Sequence, residues 1–328
     1  MLSLFIWYLI SAFRKAISKV QIRGRSLPRW FQASLAFSIT FGVLWGIWEI
    51  ISYNVELIIR KSSTYTENLN GMVEGLGSIP YLDKIPGVGD LDKFLLENLS
   101  NVDIQSYIGT VVNSLSSIVG NFALIVIYVI FLLIEESYIP DKIEKIFKNA
   151  DRKGTMQDIL RHIGQSINSY FTVKTSMSLL TGFMSYIILV LFDLDFAILW
   201  AFLIFLFNYI PYIGSLVATL LPAFFALFQF ASFWPFLWIL LAVESVQILV
   251  GNYIEPKVMG KTLNLSPLIV IIALSFWGAI WGIVGMILSV PIVSVLVIVM
   301  AHFPATRNIA IFFSEQGNIE NYSSVEKT

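Results

Sequence analysis

Residues 268–300 read LIVIIALSFWGAIWGIVGMILSVPIVSVLVIVM, a run with no charged side chain, interrupted only by glycine, serine and one proline. About 20 apolar residues suffice to carry a helix across the hydrocarbon core of a bilayer, so this stretch alone points to a chain built in lipid. FALIVIYVIFLLI at 122–134 has the same character. Across the 328 residues, 57% are hydrophobic and 13% charged, against roughly 45–50% and 25% for soluble domains. The reading is an all-α, polytopic integral membrane helical bundle of seven to eight membrane segments, with broken or re-entrant helices in its C-terminal half.

Charge excludes several function classes. Twenty-one Lys and Arg against 22 Asp and Glu leave no basic excess for nucleic acid. There are no cysteines, hence no disulfide, thiolate metal site or Cys nucleophile. The two histidines, His162 and His302, lie far apart in the chain, so no metal site is expected. No GxxxxGK[ST], HExxH, GxSxG or GxGxxG pattern occurs, which points away from an enzyme and leaves a passive or ion-coupled carrier. No cofactor is expected; sodium ions or protons are the candidate coupling ions.

Working outward from the long apolar run gives an order of segments. Residues 1–30 form a short apolar helix, interfacial or partly inserted, followed by Arg14, Lys15, Lys19, Arg23, Arg25 and Arg29 without an acid. The positive-inside rule assigns that segment to the cytoplasm. A first span covers 31–58. Residues 59–116 turn acidic and carry the Gly/Pro-rich GLGSIPYLDKIPGVGD, which predicts two amphipathic helices joined by a turn outside the membrane. The second span, 117–136, ends in Glu135 and Glu136, an acid pair expected to be solvated. Residues 137–174 are basic and cytoplasmic, 175–303 form a transport core, and 304–328 a cytoplasmic tail. Within the core, breaks fall at Asp193–Asp195, Pro211–Gly214, Phe230–Pro235, Gly251–Pro267 and Gly278–Gly285. Asp193 and Asp195 read as solvated turn residues. Both termini are expected in the cytoplasm of a bacterial plasma (inner) membrane.

Two features could carry chemistry. Gly and Pro interrupt apolar runs at 208–222, where Asn208, Pro211 and Gly214 lie, and at 278–291, with Gly282, Gly285 and Pro291. Broken helices free backbone groups for a solute or ion; ordinary kinks and close helix packing explain the same residues. Glu244, Gln247, Gly251 and Glu255, with Asn252 beside them, are spaced three or four apart and form one helical stripe, leaving Val243, Val246, Leu249 and Val250 elsewhere. An ionisable residue inside a span is a transport candidate, the alternative being a buried structural acid. Glu255 could equally pair with nearby Lys257, and Glu49 in the first span could face a path or the interface.

These segments resemble the autoinducer-2 exporter family. NYIPYIGSLVATLLPAFFAL (208–227) is similar to that family's IPxiG element, VQILVGNYIEPKVMGKTLNLSPL (246–268) to its PxvmGxxxxlxPl element, and WGIVGMILSVPI (281–292) to its GxxGmilavP element. The resemblance places motif positions at Pro211, Gly214, Glu255, Pro256, Gly260, Pro267, Gly282, Gly285 and Pro291. It implies a secondary transporter that moves a small autoinducer-2-like solute or exchanges sodium or lithium for protons, and a homo-oligomer, with a pentamer as one size. The lipid bilayer and the solute or cation are then its partners. This chain departs from the family pattern at its start, where relatives carry a further full span, and at Thr172, Val173 and Ser176, where relatives are Gly-rich. The rival reading is a non-transporting oligomeric scaffold that organises partner proteins.

Overall fold

A computed structural model describes residues 2–18, 21–22, 25–77, 122–146, 150–259, 264–317 and 319. The described chain is helical apart from a two-residue hairpin, β1 (Gln21–Ile22) against β2 (Arg25–Ser26). The helices are α1 (Leu2–Ser18), α2 (Arg29–Gly77), α3 (Phe122–Ile146), α4 (Ala150–Leu191), α5 (Ala197–Phe207), α6 (Ile213–Phe230), α7 (Phe233–Ile248), α8 (Glu255–Met259), α9 (Pro267–His302) and α10 (Arg307–Phe313). A π-helical segment, Leu249–Ile254, joins α7 to α8. The turn regions expected after 77 and the motif residue Gly260 lie outside the described residues.

Five of these helices are long and apolar enough to cross a bilayer. One shorter apolar helix and one of the five depart from a simple straight span. At 1.5 Å per residue, the 11-residue α5 reaches only about 16 Å, half of the roughly 30 Å hydrocarbon core. α9 is two arms rather than one rod, because Gly282 sits at φ 61°, ψ −143°, a region open to glycine alone. A Cβ on Gly285 would stand 1.9 Å from the Trp277 carbonyl oxygen, and one on Gly278 would stand 3.0 Å from Met286. Residues eight apart on a straight helix are separated by about 12 Å, so these contacts require residues 267–281 and 283–302 to fold back on each other. The all-helical architecture with broken helices in the C-terminal half is thus as expected, with five long apolar candidate spans among the described residues against an expected seven to eight membrane segments.

Breaks in the C-terminal half fall where the helix-breaking residues predict. α4 ends before Asp193, whose φ is 56°, and α5 ends before Pro211, which cannot donate to a continuing helix. Two expected boundaries are not breaks. α2 runs through 58 to Gly77, and α4 runs through 174, because a change from polar to apolar side chains does not interrupt backbone hydrogen bonding where no proline intervenes.

Side chains that read as solvated turn out to be ties. Glu136 accepts hydrogen bonds from Trp7 Nε1 (3.1 Å) and Ser11 Oγ (3.3 Å) and pairs with Arg14, fastening α1 to α3, while Glu135 pairs at the surface with Lys142. Ile6 and Ile10 of α1 pack with Ala36, Ile125 and Val129 behind those bonds. Asp195 accepts from Lys61 Nζ (2.7 Å) and Tyr65 Oη (2.8 Å) of α2, and Asn68 Nδ2 donates to the carbonyls of Phe228 and Gln229. The distal part of α2 therefore clasps the α4–α5 and α6–α7 turns. Glu49 is exposed on α2 and joins no buried site.

The largest core cluster joins α4 (Tyr170, Phe171), the α5–α6 turn (Tyr209, Ile210), both arms of α9 and the C-terminal segment (Ala310, Ile319). The segment following 304 is partly packed: Ser266 N donates to Phe313 O (2.9 Å) and Glu315 N to Asn264 O (3.2 Å), flanking a Leu265–Ser314 bridge. The site lies beside this cluster.

Candidate functional site: a polar cavity at the broken helices

A cavity of about 520 Å³ opens where α4, the α5–α6 turn, α7 and the loop preceding α9 meet. Small-molecule sites span roughly 300–1,000 Å³, so its size suits an organic solute. Its wall is rich in polar side chains, and the sequence accounts for each side.

α4 contributes Tyr170 and Lys174, four residues apart and so on one helical face. The same helix holds the α5–α6 turn in place: Asn208 Nδ2 donates to Ser178 Oγ (3.1 Å) and Tyr209 Oη to Thr175 Oγ1 (2.7 Å). That turn is tight because Gly214 has no side chain. A Cβ there would fall 1.9 Å from the Phe207 carbonyl oxygen. Tyr212, at φ 60°, ψ −63°, occupies a backbone region that costs a non-glycine residue of order 1–3 kcal/mol. Asn208, Pro211, Tyr212 and Ser215 are thereby presented to the cavity.

α7 contributes Glu244 and Gln247, and the π segment and α8 contribute Gly251, Asn252, Glu255 and Pro256. The expected stripe is therefore assembled, but not on one uninterrupted α-helix. Glu255 N donates to Val250 O, a bond to the fifth residue back, and this wider turn re-phases Gly251–Glu255 against Glu244 and Gln247. π-turns inside α-helices are rare and concentrate at functional sites. Val243, Val246 and Val250 face the bundle and are buried, whereas Leu249 is exposed.

Three arrangements stand out chemically. Lys174 Nζ donates to Glu255 Oε1 at 2.6 Å, with side-chain exposures of only 9% and 14%; the partner of Glu255 is thus Lys174, 81 residues away, and not Lys257. Gln247 is 5% exposed and its Nε2 has no hydrogen-bond partner; Tyr170 is 3% exposed and its hydroxyl has none either. An unmet buried polar group costs about 1–3 kcal/mol, and two of them stand on one cavity wall. Glu244 forms no hydrogen bond or ion pair with a described residue.

Not every sequence candidate lines the cavity. Pro267 does, but Gly214, Gly282, Gly285 and Pro291 are not among its lining residues and instead shape the two helix breaks beside it. Sequence reasoning missed Tyr170, Lys174, Ser215, Asn264 and Glu315. The i, i+4 pair on α4 was visible as a pattern, whereas Glu315 reaches the rim only through the backbone ladder with 264–266. His162 and His302, distant in sequence, stand with ring centroids 6.1 Å apart. Among the described residues no group of three or more potential ligands could hold a metal ion.

Comparison with known proteins bears on this geometry. Residues 1–305 match the family described as AI-2E family transporter. The chain belongs to that family. A Haemophilus influenzae protein named for transport, with no substrate in its name, is 30% identical over 325 residues, 98% of this chain and 90% of its own length. The AI-2 transport protein TqsA of Escherichia coli is 28% identical over 293 residues, covering 88% of this chain and 82% of TqsA. A Borreliella burgdorferi protein, likewise named for transport, is 32% identical over 231 residues, 68% of this chain and 63% of its own length. This AI-2E family member is accordingly a multi-pass membrane transporter and not an enzyme. Its family membership covers α1 through both arms of α9, so every cavity-lining residue except Glu315 falls inside the matched region.

Proposed function

We propose that this AI-2E family transporter is a secondary carrier whose small polar solute or monovalent cation occupies the 520 Å³ cavity. One observation carries the reading: the buried, unpartnered Gln247 Nε2 and Tyr170 hydroxyl share that cavity with a carboxylate, Glu244, that nothing described neutralises. Structural acids and amides in apolar interiors are paired. Groups left open toward a cavity are what a carrier needs, since its solute must both bind and leave.

The hairpins explain how access could alternate. Gly282 and the Pro211–Gly214 turn end helices inside the apolar layer, and broken helices of this kind surround binding sites near the midplane of secondary transporters. Asn208, Pro211, Glu244, Gln247, Gly251, Asn252 and Glu255 line the path in this reading, while Gly214, Gly282, Gly285 and Pro291 act as its hinges and packing points. Exchange of sodium or lithium for protons, export of an autoinducer-2-like solute, location in a bacterial plasma membrane with both termini inside, and assembly as a homo-oligomer such as a pentamer all belong to this proposal.

The test is flux in proteoliposomes containing the purified full chain. With a pH-sensitive dye inside and sodium, lithium or potassium salts added across an imposed proton gradient, cation exchange gives a cation-specific dye response that Glu244→Gln abolishes. Counterflow of a labelled organic solute covers the uncoupled case. Absence of any flux from folded protein would leave the scaffold reading in its place.

A further inference from the structure

The charge and hydrogen-bonding character of the cavity wall narrows the class of solute, on the premise that the cavity is the transport site. Four ionisable side chains other than tyrosine line it: Lys174, Glu244, Glu255 and Glu315. The one cation among them is consumed, because Lys174 is held by Glu255 at 2.6 Å in a nearly dry pair. Glu244 and Glu315 have no side-chain partner among the described residues, so of the described lining side chains an occupant meets two unpaired carboxylates and no unpaired cation. An anion would meet like charge from the half-buried Glu244, with the exposed Glu315 adding a weaker, solvent-screened repulsion at the rim.

The remaining polar groups have a definite sense. Gln247 Nε2 is a donor, buried and unpartnered, and it requires an acceptor oxygen; the Tyr170 hydroxyl can donate or accept and is also unpartnered. The rings of Tyr170 and Tyr212 line the same cavity. Aromatic faces with carboxylates nearby are the recurring means of holding an ammonium group, through attraction of the cation to the ring quadrupole. The volume exceeds what a bare monovalent ion needs by more than an order of magnitude: one water-sized particle takes about 30 Å³, against 520 Å³ here.

We propose that the cavity is a binding site for a small organic cation that also carries a hydroxyl or carbonyl oxygen, with Glu244 and the tyrosine rings facing the ammonium end and Gln247 Nε2 donating to the oxygen. Sequence position separates these two functions by less than one helical turn, since Glu244 and Gln247 are three residues apart on α7. The wall therefore selects by charge and by acceptor geometry together.

Choline is a suitable probe because it is permanently charged, bears one hydroxyl and does not cross bilayers unaided. Binding of radiolabelled choline to the purified full chain in detergent, read by scintillation proximity, is expected to saturate and to be competed by unlabelled choline but not by equal concentrations of glycerol or glycolate. Glu244→Gln is expected to weaken it by about tenfold or more and Gln247→Leu by about fivefold, while Glu244→Asp, which keeps the charge, retains binding and shows that the site is folded. No saturable choline binding, displacement by glycerol or glycolate as effective as by choline, or unchanged affinity in Glu244→Gln would overturn the assignment. Proteoliposome flux separates the two proposals. Carriage of a neutral or anionic solute without choline binding refutes the solute class and leaves the transporter reading intact, whereas choline binding with no flux of any solute supports the site and refutes carriage through it.

Discussion

Removing either partner of the Lys174–Glu255 pair should destabilise the bundle severely, and removing both should not. At 2.6 Å and an effective dielectric of about 20, the two charges attract by roughly 6 kcal/mol, most of which offsets the desolvation of two ions whose side chains are 9% and 14% exposed. The net worth of the pair is small, but neither side chain has another hydrogen-bond or ion-pair partner among the described residues to fall back on. Lys174→Met strands a carboxylate and Glu255→Met strands an ammonium, each at a cost of about 3–5 kcal/mol. That is roughly two to three and a half orders of magnitude in the unfolding equilibrium. The double replacement puts two apolar side chains of similar length in contact and should recover most of the loss, within about 2 kcal/mol of the parent. Equilibrium unfolding in mixed micelles titrated with a denaturing detergent, followed by helical circular dichroism, measures all four proteins of the cycle. Single replacements costing under about 1 kcal/mol would refute the argument, because they would mean that water reaches the pair and that it is a surface bridge. A double variant no better than the singles would show that the charges act separately.

Two further outcomes follow from the same geometry. Gly214→Ala and Gly285→Ala each place a methyl group 1.9 Å from a carbonyl oxygen, so both should disrupt a hairpin, lower the yield of monodisperse protein and abolish flux. Gly282→Ala meets open space yet sits at φ 61°, so it should fold with a smaller penalty of order 1–3 kcal/mol from backbone strain, which thermal unfolding of the three variants distinguishes. Glu136→Gln weakens the tie from α1 to α3 by removing the Arg14 ion pair, which is part-exposed, and should leave the transport core unaffected. Limited proteolysis of the N-terminal segment should accelerate in that variant while solute flux stays within about twofold.

Much of the architecture could be read from the chain because the bilayer imposes it. Length and apolarity decide whether a helix can cross, and Asp193, Pro211 and Gly282 mark where helices stop, since each ends or bends a segment through local backbone chemistry. The stripe Glu244, Gln247, Gly251 and Glu255 was legible for the same reason: helical spacing is a local property. A π-turn at Leu249–Ile254 interrupts it, which no three-or-four spacing records. The boundaries at 58 and 174 fall inside α2 and α4, because composition changes there without any residue that breaks a helix.

The sequence by itself determined that this is an all-helical membrane protein of the AI-2E type, where its helices break, and which polar residues stand in apolar surroundings, since those properties belong to single residues and their near neighbours. Tertiary structure alone decided which of those residues meet. Lys174 joins Glu255 across 81 positions, Glu315 reaches the rim through a strand-like contact with Leu265 and its neighbours, and Gln247 and Tyr170 are left unpartnered on one wall. Whether a polar group is satisfied depends on every helix that packs around it, and that is a property of the folded bundle and not of any segment of the chain.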